Sequence, residues 1–135
     1  MENRLGGVLI RAATAYVKDI AIDYLKGHNA TSERVLIDII RSLSTAHRYL
    51  VRAAKVPDVR RTYVDLALSE LNNAEMYASS YVMAPERPKI VSNDLIRTIR
   101  DMSRRLSASV LSVSDIAGVE REIFGLTDTI LALME

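Results

Sequence analysis

The sequence contains no cysteine and no tryptophan, one phenylalanine, two histidines, three prolines and five glycines in 135 residues. Without cysteine there is no disulfide framework, no thiolate metal site and no thiol nucleophile. That suits a reducing compartment, and equally a hot or acidic setting in which thiols are a liability. Nothing approaches eighteen uninterrupted apolar residues, so no transmembrane span is expected. Arg11 interrupts the apolar stretch at 8–10 and no A-x-A site follows, so the start of the chain does not read as a secretory signal. Asn29-Ala30-Thr31 matches a glycosylation acceptor, but without such a signal it reads as a helix-capping turn.

Chemistry-bearing motifs are equally scarce. There is no Walker loop, no glycine-rich dinucleotide turn and no serine elbow. A ferritin-like dimetal site needs Glu-x-x-His pairs on facing helices; Glu70 and Glu75 have no histidine at that spacing. The sequence therefore predicts no catalytic residue, no cofactor and no metal. Base-reading signatures are missing too: no zinc-finger spacing, no RNP aromatics and no GXXG loop, which Gly6-Gly7 is not. Six tyrosines and one phenylalanine are too few to favour stacking on single strands.

What is present is apolar periodicity. Apolar residues make up 49% of the chain, which is ordinary for a globular protein, and no stretch alternates with period two. Sparse punctuation by glycine and proline divides the chain into five segments of helical period, at about 8–26, 32–55, 58–83, 93–111 and 114–134. The expectation is an all-α fold, a single-domain antiparallel bundle of about five helices spanning 1–135. The first helix is apolar over most of its circumference, with Arg11, Thr14 and Lys18 as its polar strip, and is expected to be central. Its acids Asp19 and Asp23 read as partners for another helix, and His28 lies in the turn that follows. The second carries a heptad seam of Leu36, Ile40, Leu43, His47, Leu50 and Ala54. The third starts near Pro57, well placed for a first helical position, and buries Val64, Ala67, Leu71, Ala74, Ala78 and Val82. The fourth buries Leu95, Ile99, Met102, Leu106 and Val110. The fifth is capped near Ser114 and carries Ile116, Val119, Ile123, Leu126, Ile130 and Leu133.

Charge is nearly balanced at +1, but the cations are skewed, fourteen arginines against four lysines. Arginine suits bidentate contacts with phosphate or carboxylate. On the second helix Arg34, Arg41, Arg48 and Lys55 recur every seven residues with Arg52 among them. All five fall within about 60° on the wheel, opposite the apolar seam. Arg60 and Arg61 follow. Between Arg34 and Arg61 there are seven cations and two acids, Asp38 and Asp58. The fourth helix repeats the pattern with Arg97, Arg100 and Arg104, beside Arg105 and Asp101. A solvated face ordinarily mixes signs in i,i+4 pairs. A self-repelling one calls for an anion, either the phosphates of a nucleic-acid backbone or the carboxylates of an acidic protein partner.

His47 occupies a seam position and reads as a structural histidine, satisfied by a neighbouring carbonyl or tyrosine. Arg41 and His47 also form an R-x5-H pair. This resembles the R-x(4–6)-H motif of HEPN-domain ribonucleases, in which arginine and histidine act on RNA at a dimer interface, although in that family the motif lies on a later helix. The resemblance would make Arg41 and His47 catalytic. Gly118 and Gly125 lie seven apart beside the last seam, and paired glycines inside a helix suggest close approach of another helix, from this chain or another subunit.

The surplus of apolar seams predicts self-association, in a homo-oligomer or with a related subunit. The functional expectation is a non-enzymatic structural protein that assembles with itself and coats or packages nucleic acid through its backbone. Small arginine-bearing helical proteins of this size look like the coat proteins of filamentous archaeal viruses, which wrap DNA between helices. That likeness is architectural and carries no residue signature. It would imply an intracellular or virion location and a double-stranded partner. The alternatives are an adaptor for an acidic protein and the HEPN-like ribonuclease or toxin.

Overall fold

The computed structural model describes residues 31–83 and 88–134. The helix expected over 8–26, with Asp19, Asp23 and the turn at His28, lies outside them. Regular structure among the described residues is entirely helical. Helix α1 spans Thr31–Lys55, a 3-10 turn Pro57–Val59 follows, then α2 spans Arg60–Tyr81, α3 spans Asn93–Leu106 and α4 spans Val113–Met134. No helix among them is long and apolar enough to cross a membrane.

Helix α1 is the hub. It packs along α2 on one side and α4 on the other, α2 also packs on α3, and α3 touches α4 more lightly. A short link joins α1 to α2, and near it the rings of Tyr49 and Tyr63 meet with centroids 6.0 Å apart, so the two helices fold back on one another. Alanines line this pairing, Ala46 and Ala53 on α1 against Ala67, Ala74 and Ala78 on α2, all fully buried. Side chains that small let helix axes approach closely and lose no rotamer freedom on burial.

The core is one cluster drawn from all four helices, including Ile39, Ile40, Leu43, Leu50, Leu71, Ile99, Met102, Leu106, Ile116, Ile123 and Ile130. Burying each such large apolar side chain contributes about 1.5–3 kcal/mol. On α1 the burial is wider than its heptad seam: Val35, Ile37, Ile39, Ala46, Ala53, Ser42 and Ser44 are buried as well. The residues left to solvent form one narrow strip. That strip is where the cations sit.

Several element ends differ from the expectation for identifiable reasons. The helix expected from 58 starts at Arg60, because Pro57 opens a 3-10 turn instead. Arg60 then turns back and closes α1, donating from Nε to the Ala53 carbonyl at 2.9 Å and from Nη2 to that of Ala54 at 3.4 Å. The last carbonyls of a helix lack intrahelical donors and carry partial negative charge, so a guanidinium is a fitting cap.

Helix α3 stops at Leu106, short of the expected 111. At Ser107 the amide donates to the Ser103 and Arg104 carbonyls and the hydroxyl to that of Ser103. Serines offer the backbone such local alternatives to continued helix. Val110, expected in the core, is consequently 85% exposed. Helix α4 is capped at Ser112 and not at Ser114. The Ser112 hydroxyl accepts from the Asp115 amide and the Asp115 carboxylate from the Ser112 amide, both at 3.0 Å, a reciprocal capping box. Leu133 is 62% exposed, because a seven-residue repeat drifts about 20° per heptad around a straight helix and leaves the core by the last turn. Val82, Ala54 and Leu126 are only half-buried.

Candidate nucleic-acid interface

The strip on α1 carries Arg34, Arg41, Arg48, Arg52 and Lys55, all exposed. The helix repeats every 3.6 residues at 1.5 Å per residue. Steps of seven therefore place successive cations about 10 Å apart, and the row from Arg34 to Lys55 runs about 30 Å. None of the five makes an ion pair or hydrogen bond through its side chain among the described residues. Asp38 stands four residues from Arg34 and three from Arg41, yet is paired with neither. Arg48 and Arg52 are like charges at i,i+4, an arrangement that destabilises a helix by about 0.2–0.5 kcal/mol. Arg52 and Lys55 recover part of this by occupying the last turn, where the helix dipole favours cations.

The α3 arginines stand differently. Arg97 pairs with Asp94 one turn before it. Arg100 Nε reaches Glu75 Oε1 on α2 at 2.6 Å. Arg104 pairs with Asp101 at 2.5 Å. Arg105 bridges Asp101 at 3.1 Å and Glu122 on α4 at 2.5 Å. The Glu122 hydrogen bond, reinforced by the charges of Glu122 and Asp101, raises the already high pKa of Arg105. The second stripe is thus four cations already matched to four carboxylates.

Arg60 and Arg61 also have partners. Arg60 caps α1 as described. Arg61 pairs with Asp65 at 2.9 Å and its Nη1 lies 3.5 Å from the Ala108 carbonyl, which ties the α1–α2 link to the α3–α4 link.

His47 is 2% exposed, and its Nε2 lies 3.4 Å from Glu120 Oε1 on α4. Its ring also meets Phe124, with centroids 6.4 Å apart. The partner is therefore a carboxylate, not the carbonyl or tyrosine expected. Glu120 lies across the interface on α4, and no spacing along α1 could have announced it. Nδ1 of His47 and the hydroxyl of Ser44 one turn earlier are buried without hydrogen-bond partners among the described residues. The structure does not bring Arg41 and His47 together. Six residues apart on a helix, they point about 120° from each other, Arg41 into solvent and His47 into the α1–α4 interface.

Gly118 is half-buried and Gly125 exposed, and a methyl group added at either would meet no atom within 4 Å among the described residues. No helix of the described chain needs these positions to be small. No cluster of three or more histidine or acidic residues able to hold a metal occurs among the described residues. Comparison of the chain with known protein families, with curated proteins and with solved structures returned no match.

Proposed function

We propose that this chain is a non-enzymatic, self-associating structural protein of one helical bundle that holds double-stranded nucleic acid through its backbone. A helix at 8–26 would be the fifth of the bundle. The observation that carries the reading is the unpaired row Arg34, Arg41, Arg48, Arg52 and Lys55, beside a second stripe of the same composition that is fully paired.

Packing explains why charged residues lie on the exposed strip of α1, since every other direction is buried. Packing does not explain why all five have one sign. Mixed signs would stabilise the helix, and the same chain uses mixed signs on α3. An external polyanion supplies the missing charge. A duplex suits the row better than a single strand, because among the described residues the one aromatic on α1 besides His47, Tyr49, is half-buried against Tyr63 and not free for bases to stack on. A coat or packaging role follows from backbone contact without base readout combined with self-association.

The test is binding of random-sequence duplex DNA and RNA, read by fluorescence anisotropy at about 50 mM salt, where phosphate contacts are strongest. The expected outcome is binding by both, indifferent to sequence. Absence of a complex at tens of micromolar protein would discard the nucleic-acid reading. Capture of an acidic protein with no affinity for either duplex would replace it with the adaptor.

A further inference from the structure

Helix α4 buries Ile116, Val119, Ile123, Thr127 and Ile130 against the core. On the opposite side of α4, Ser114, Arg121, Gly125, Asp128 and Ala132 are exposed and Gly118 is half-buried. Along its midline run Ser114, Gly118, Gly125 and Ala132, within about 40° of one another on the wheel. Flanking that line on one side are Arg121 and Asp128, both exposed and neither engaged in an ion pair among the described residues. Flanking it on the other is Glu122, already neutralised by Arg105.

Arg121 lies about 6 Å along the axis before Gly125 and Asp128 about 4.5 Å after it, at 1.5 Å per residue. An opposite pair arranged about a glycine in this way is self-complementary under a twofold axis. Two antiparallel copies of α4 related by that axis keep each flank on the same side of the interface. Each Arg121 then faces Asp128 of the partner subunit, twice over, as an isologous interface requires. The glycines let the two backbones approach closely enough for the pairs to close. Each costs about 1 kcal/mol of helix propensity relative to alanine, and nothing within the described chain uses the space they leave.

We infer that the outer face of α4 is a homodimer surface on which a second copy docks antiparallel about Gly125, with reciprocal Arg121–Asp128 pairs setting the register. This deepens the self-association in the function proposed above and needs no nucleic acid. Substituting Arg41→Gln with Arg48→Gln should therefore weaken duplex binding and its salt dependence and leave the dimer intact, so the two readings fail separately.

The experiment is sedimentation equilibrium on the full chain and four variants, with circular dichroism confirming helicity. Wild type should sediment at twice 15.1 kDa in the micromolar range. Arg121→Asp and Asp128→Arg singly should each weaken dimerisation by at least about tenfold, since two attractive surface pairs become two repulsive ones. The double swap, Arg121→Asp with Asp128→Arg, should restore it to within a few-fold. Gly125→Leu should yield a folded monomer. A wild-type chain that stays monomeric at about 100 µM, where a dimer held by even modest contacts would form, overturns the inference. A double swap no tighter than the single variants overturns it equally, whatever Gly125→Leu does.

Discussion

Helices α1 and α3 carry nearly the same sequence device, arginines at helical spacing opposite an apolar seam, and the structure gives them opposite electrostatic fates. On α3 every arginine has a carboxylate, two supplied by the helix itself at i±3 or i±4 and two by α2 and α4. On α1 five cations share one exposed strip with no carboxylate bonded to any of them among the described residues. Arginine content therefore does not distinguish a scaffold face from a binding face. The supply of acids within reach is what differs between the two stripes. Stripe α3 is a set of ties within and between helices. Stripe α1 has no such tie among the described residues, and it is this stripe that we propose meets a polyanion.

The comparison breaks most visibly at Arg41 and Arg48. Reversing both to Glu should lower duplex affinity by at least about 100-fold at low salt, because each reversal deletes a phosphate contact and adds a repulsion. Substituting Arg97 and Arg104 by Gln should change it by less than about threefold, since those charges are already compensated on the protein. Anisotropy titrations on one duplex measure both, and equal losses would erase the distinction between the stripes.

The buried side of α1 offers the next largest effect. The seam pattern alone suggests that leucine could replace His47 harmlessly. The structure changes that expectation, because removing the imidazole leaves Glu120 nearly buried, at 13% exposure, without its partner. His47→Leu should therefore cost about 1–3 kcal/mol, the usual penalty for orphaning a buried polar group. Adding Glu120→Leu should recover most of it, as apolar replacement of a buried pair often does. Chemical denaturation of the two variants decides this, and a double variant less stable than the single would show that the pair itself holds α1 to α4.

Much of this was legible in the sequence. The 3.6-residue period located α1 to within a residue at its start and all four helices in order, because each buries one apolar seam and period is what burial requires. The exposed direction of Arg34, Arg41, Arg48 and Arg52 followed from the same wheel. Two kinds of information were not legible. Helix ends depend on short-range competition for backbone groups, so the stop at Ser107, the cap at Ser112 and the Arg60 clasp appeared only in the structure. Pairings between helices have no signature along one helix: Glu75 with Arg100, Glu122 with Arg105 and Glu120 with His47 all lie at separations that periodicity cannot connect. For that reason the two stripes looked alike in sequence.

Smaller effects sharpen the contrast further. Arg48→Glu alone turns the Arg48/Arg52 repulsion into an attractive i,i+4 pair, so it should stabilise the fold by about 0.5 kcal/mol while weakening duplex binding. Stability and binding moving in opposite directions is the signature of a charge retained for a partner. A thermal melt showing destabilisation would argue instead that Arg48 serves the fold.

The smallest effect concerns acid. The Ser112 amide and hydroxyl hold the Asp115 carboxyl below its ordinary range. A carboxyl whose folded pKa is depressed stabilises at pH above its unfolded value and loses that contribution as pH falls through the folded one. The difference in melting temperature between wild type and Asp115→Ala should thus be present near pH 6 and shrink toward pH 3, approaching the range where carboxyls protonate. A difference independent of pH would assign the cap to the Ser112 hydroxyl alone.

The most direct test of the central claim is the salt dependence of duplex affinity, compared between the two stripes. If the five α1 cations each neutralise a phosphate, log affinity should fall against log salt with a slope of about −4 to −5, roughly 0.9 per contact. Replacing Arg41 and Arg48 by Gln should flatten that slope by about two units, and replacing Arg97 and Arg104 should leave it within about half a unit, if released counterions count only unpaired cations. The same flattening from both pairs, or a wild-type slope near zero, would contradict the claim that α1 is the face left open for a polyanion.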